Sequence, residues 1–121
     1  MSRISRPRVP TGEGAGFIDL WWVKQSLVWC WKNVHGVRQI VKEPYLTPKC
    51  KGRDWGITNA GIGWTWQGWE GCRNAGGAGY TYVKRWNQGH FRPWGGVQTA
   101  KPSAWVKSYA GGASDEGGGG N

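Results

Sequence analysis

The chain predicts an all-β fold, a small antiparallel β-sandwich or barrel of about six to eight short strands around an aromatic core, and three observations predict it. Apolar residues recur with period two between Gly, Pro and Asn turns, which is the pattern of half-buried strands. The 22 Gly among 121 residues oppose long helices, since each costs about 1 kcal/mol in a helix interior. Aliphatics are scarce: Leu, Ile, Val and Phe make up about 16% of the chain, below the roughly 20% at which high charge begins to suggest disorder. The 11 Trp and 4 Tyr reverse that reading, because each ring can bury about 150–250 Å², at roughly 25 cal/mol per Å². The core is built from rings.

The elements follow in order. Residues 1–16, with Arg3, Arg6 and Arg8 and two Pro, read as an extended basic arm. "FIDLWWVKQSLVW" (17–29) is the one stretch that could wind into an amphipathic turn or two of helix. In "LVWCWK" (27–32), Leu27, Trp29 and Trp31 point one way and Val28, Cys30 and Lys32 the other. "NVHG" is a turn, and "VRQIVK" (37–42) is the returning strand. Pro44 and Pro48 then interrupt any ladder. "DWGIT" (54–58) and "IGWTWQ" (62–67) are expected to pair as a hairpin, with Ile62, Trp64 and Trp66 on one face. Trp69 lies beyond Gly68, where the alternation no longer sets its direction. "GYTYVKRW" (79–86), "GVQTA" (96–100) and "AWVKSY" (104–109) complete the strands of one domain spanning 17–110. "GGASDEGGGGN" (111–121) is Gly-rich low complexity and is expected to be disordered.

Cysteines are three, Cys30, Cys50 and Cys72, with no CxxC pair, and His35 and His90 do not cluster with them. A closed zinc site therefore lacks four ligands at workable spacing, and no metal or cofactor is expected. One disulfide plus one free thiol suits an oxidising compartment. Cys50–Cys72 is favoured because both sit beside Gly at the ends of the expected hairpin, while Cys30–Cys50 stays open. No apolar run reaches the roughly 18 residues that span a bilayer. "MSRISRPRVP" is polar and basic, so an exported form is expected to have had its leader removed.

No catalytic constellation emerges. A glycosidase needs two carboxyl groups across a cleft, and only Asp54 and Glu70, flanking the expected hairpin, could approach one another. As surface acids they would instead screen Lys51, Arg53 and Arg73. The Gly runs at 76–79 and 117–120 lack the Lys-Ser/Thr of a P-loop. The chain is thus expected not to be an enzyme.

Charge carries the positive signal. A net charge of +9, most of it in the body of the chain, favours anionic partners. "YVKRWNQGHFRPWGG" (82–96) interleaves rings with cations. Rings stack on sugars or bases while cations meet phosphate or carboxylate. Trp69, Tyr82, Lys84, Arg85, Trp86, Phe91, Arg92 and Trp94 are therefore the candidate ligand-binding residues.

The layout of "RDWGITNAGIGWTWQGWEGC" followed by "GYTYVKRWNQGHF" and "AWVKSYA" resembles small exported Trp- and Gly-rich β proteins of Gram-positive bacteria, the lactococcin 972-like bacteriocins. The likeness covers roughly residues 26–110 and is one of texture, without a diagnostic motif; the expected leader does not match. It implies an extracellular, non-enzymatic β-sandwich acting at a cell envelope. Residues and resemblance together lead to a secreted binding protein whose basic aromatic surface engages envelope glycan or another anionic surface. Two alternatives compete, a single-stranded nucleic-acid-binding barrel and a structural component of a virion or other assembly.

Overall fold

A computed structural model describes residues 2–8, 11–13, 19–41 and 46–119. Within them the fold is all-β, two antiparallel sheets packed face to face. In the first sheet, β1 (Ser2–Arg8) and β2 (Thr11–Glu13) lie along one edge of β3 (Asp19–Val34). β4 (Val37–Val41) and β5 (Arg53–Ile57) lie along its other edge, opposite Cys30–Val34 and Trp21–Gln25 respectively. That edge would be open between β4 and β5, and the segment 46–52 fills it. Thr47 donates its N–H to the Val28 carbonyl at 3.0 Å and accepts the Val28 N–H on Oγ1 at 2.7 Å, and Ser26 donates to the Gly52 carbonyl at 2.6 Å. The second sheet is a meander of β6 (Trp64–Gly76), β7 (Tyr82–Pro93), β8 (Ser103–Tyr109) and β9 (Ser114–Gly119).

Four expectations are corrected. Residues 19–29 are strand, because Trp21, Val23, Gln25, Leu27 and Trp29 alternate inward with period two and leave no helical stripe. The arm is not an appendage where it is described: 2–8 and 11–13 pair with β3. The runs 54–58 and 62–67 do not form a hairpin. A short 3-10 turn, Asn59–Gly61, carries the chain from one sheet to the other, so Trp55 stacks on Trp66 across the sandwich at 4.5 Å instead of beside it in a ladder. The tail contributes β9, because β8 would otherwise present an unpaired edge. Residues 96–100 keep only one bridge, Phe91 to Ala100. Lys42, Pro44 and residues 120–121 lie outside the described residues.

Two apolar clusters fill the space between the sheets. Trp21, Val23, Phe91, Ala100 and Ala104 form one, with Trp64, Trp66 and Trp69 packed against it. Leu27, Trp29, Ile40, Val83 and Val106 form the other. Bulges in β6 between Trp66 and Gly68 and between Trp69 and Gly71 reset the alternation, which lets Trp69 join Trp66 on the inner side. Gly89 makes room for that arrangement. A Cβ there would sit 2.7 Å from the Trp66 ring and 2.8 Å from Val23.

A polar band separates the clusters. Asn87 donates Nδ2–H to Gln25 Oε1 at 2.8 Å, both side chains being buried, and Gln25 Nε2 donates to the carbonyls of Ser26 and Lys51, each at 2.9 Å. This band fixes the facing register of β3 and β7, since an orphaned buried amide costs about 1–3 kcal/mol. Asn87→Leu is accordingly expected to destabilise by about that amount in chemical denaturation, and Asn87→Leu with Gln25→Leu to recover part of the loss. Additive losses would show that the two amides do not act as a pair.

Candidate functional site

The candidate residues divide according to strand parity. On β7 the odd positions Val83, Arg85, Asn87, Gly89 and Phe91 face the first sheet, and Tyr82, Lys84, Trp86, Gln88 and His90 face outward. Tyr82, Lys84 and Trp86 therefore share an outer face. Arg85 and Phe91 do not: Phe91 is wholly buried among rings and Arg85 is 5% exposed. Trp69 is half-buried, edge-on to Trp66 at 4.9 Å, with the Arg53 guanidinium 4.8 Å above it. Arg92 is exposed and donates Nε–H to the Gly96 carbonyl at 3.0 Å. Trp94 stands in the following turn, 86% exposed.

The outer face gains members that sequence reasoning left out. Register places Arg73, Trp86, Trp105 and Gly117 side by side across β6, β7, β8 and β9. The next row holds Ala75, Lys84, Lys107 and Asp115, and the row after it Tyr82 and Tyr109. Trp105, Lys107 and Tyr109 alternate visibly in "AWVKSY", but only the register shows that they join Trp86 and Tyr82.

Cations on this face rest on rings. Arg73 lies 4.8 Å from the Trp86 ring centre, Lys84 4.8 Å from Trp105, and Lys107 4.9 Å from Tyr82 and 5.2 Å from Tyr109. Each such contact is worth about 0.5–1 kcal/mol at an exposed site, enough to narrow the rotamers of a long side chain. Asp115 sits at the margin, accepting the Tyr109 hydroxyl at 3.2 Å. Arg73, Lys84, Trp86, Ser103 and Trp105 border a hollow of about 530 Å³. Gly117 lets the Trp105 ring lie over the edge strand, since a Cβ there would meet the indole at 2.6 Å.

The carboxylates do not form a pair. Asp54 belongs to the first sheet, where its Oδ1 accepts the Trp55 N–H at 2.8 Å. Glu70 belongs to the second, with Oε1 2.8 Å from His90 Nδ1 and 3.7 Å from Lys101 Nζ. Cys50 and Cys72 form a disulfide, and Cys30 is a buried free thiol. The reason differs from the one expected, since the bond ties the 46–52 segment of the first sheet to β6 of the second rather than closing a hairpin. Among the described residues no His, Cys, Asp or Glu group has the makings of a metal site, and no helix is long and apolar enough to cross a membrane. Compared with family models, with curated proteins and with solved structures, the chain finds no match.

Proposed function

We propose that the chain is a non-enzymatic binding protein that acts outside the cell, using the outer face of the second sheet to engage an anionic glycan of a cell envelope. The observation that carries this reading is the seating of Arg73, Lys84 and Lys107 over Trp86, Trp105, Tyr82 and Tyr109. Flexible cations lose rotamer entropy when they grip a polymer, about 0.5–1.5 kcal/mol for each immobilised side chain. Rings that hold them in advance reduce that cost, and ring edges left free can pack against sugar. The net charge supports an anionic partner, and the disulfide supports an oxidising compartment. A bacteriocin-like action at the envelope, as the textural resemblance implies, is the specific form of this reading.

Co-sedimentation with isolated cell walls tests it. The protein is expected to pellet with the walls and to be released by salt, because screening weakens exposed charge contacts. Trp86→Ala is expected to weaken binding by up to about tenfold, because Arg73 loses the ring that holds it and must be immobilised on binding. Lys84→Ala with Lys107→Ala should flatten the salt dependence. Failure to pellet at low salt would overturn the proposal. Tighter, equally variant-sensitive binding to single-stranded oligonucleotide would replace it with the nucleic-acid reading.

A further inference from the structure

Arg85 is buried without a counter-ion. Of its five N–H donors, one on Nη2 reaches the Thr47 carbonyl at 3.0 Å and one on Nη1 reaches the Lys84 carbonyl at a long 3.4 Å. Nε has no partner, and among the described residues no carboxylate pairs with the guanidinium. An unpaired buried charge is among the most costly features a fold can hold. Desolvation alone acts on this group, and it draws the Arg85 pKa below its ordinary value.

The guanidinium lines a pocket of about 300 Å³ between the 46–49 segment and the turn after β6. Lys49 supplies a second cation at the rim, and among the described residues no acid lines the pocket. The opposite wall is Gly76 and Gly77, both at positive φ, where the chain presents backbone without side chains. The pocket thus has two positive charges, at least one unassigned N–H, and a bare wall that a ligand can approach closely.

We propose that this pocket binds a phosphate-type oxyanion, as inorganic phosphate or as the end of a phosphate monoester. Charge argues for phosphate over carboxylate, since about −1.5 to −2 at neutral pH balances Arg85 and Lys49 together. Guanidinium chemistry agrees, because each Nη carries a second N–H beyond the one given to a backbone carbonyl, and such donors suit phosphate oxygens. The site is separate from the outer sheet face, whose Lys84 points the other way from Arg85. It does not depend on the glycan reading.

Calorimetric titration of the intact oxidised chain with inorganic phosphate, acetate and glycerol phosphate at constant ionic strength tests the site. Phosphate is expected to bind saturably and to raise the thermal midpoint with the same saturation, whereas salt exclusion effects grow without saturating. Acetate should bind at least tenfold more weakly. Binding of glycerol phosphate as well as phosphate points to a monoester end group, and binding of phosphate alone to the free ion. Arg85→Met should lose at least tenfold in phosphate affinity. Lys49→Ala, at an exposed loop position, provides a variant that folds should Arg85→Met not do so, and is expected to lose about threefold or more through its lost charge. Trp86→Ala should leave phosphate binding unchanged. Absence of a saturable phosphate signal, or unchanged affinity in Lys49→Ala, overturns the proposal.

Discussion

Reducing the Cys50–Cys72 bond, or replacing both residues with serine, is expected to lower the thermal midpoint by on the order of 10 °C. The two cysteines are 22 residues apart, and cross-linking a loop of that length removes about 3 kcal/mol of denatured-state freedom. The location should add to this. Cys50, at φ 61, lies inside the segment whose Thr47 and Gly52 satisfy the backbone of Val28 and Ser26 along the open edge of β3. Once freed, that segment leaves those groups to water, and Thr47 no longer fixes the Arg85 guanidinium. A melt with and without reductant checks the loss, and alkylation after denaturation should count one thiol in the oxidised chain and three in the reduced. The reduced form should also lose its saturable phosphate response. A midpoint that reductant leaves unmoved would show that packing alone holds the 46–52 segment.

How far the fold could be read in advance depends on whether the information was local. The alternation in 27–32, 79–86 and 104–109 was local, and the chain forms strands over 27–32, 82–86 and 104–109 because aromatic and β-branched residues at period two can bury only one face. The partner of each strand was not local. Trp55 and Trp66 looked like neighbours in a hairpin, but the 3-10 turn between them sends each to a different sheet. The tail shows the reverse error: Ser114–Gly119 buries little by itself and is ordered by the edge of β8, which its own composition cannot reveal. At the candidate site, the interleaving of rings and cations in 82–96 gave no face to any of them, and period two on β7 puts Tyr82, Lys84 and Trp86 on the outer side. Arg85 and Phe91 were grouped with them by adjacency, although period two sends both inward. Arg73, Trp105 and Lys107 were missed because they reach that face only through cross-strand register.

Phe91→Ala is expected to cost about 3–5 kcal/mol, as truncation of a wholly enclosed ring does. Phe91 has no exposed surface. It stacks on Trp21 at 5.3 Å and meets the edges of Trp66 at 5.0 Å and Trp55 at 6.2 Å, so three indoles use it as their common contact. Each pair contributes about 0.5–1.5 kcal/mol beyond area burial. The cavity cannot collapse readily, because the Phe91 backbone is pinned to Ala100 by N–H to carbonyl bonds in both directions, at 2.8 and 2.9 Å. Trp94, three residues on, is the control. Its ring is 86% exposed, so Trp94→Ala should stay within about 0.5 kcal/mol of the parent. Denaturation midpoints measure the contrast, and tryptophan emission should shift to longer wavelength in Phe91→Ala as water reaches Trp21 and Trp66. Equal, small effects at both positions would mean that the rings do not form the interior. In a chain with 11 Trp and only 2 Phe, a large loss at the buried Phe91 would place the folding free energy in ring-to-ring packing, with the indoles on the other side of the same sheet left to the outer face.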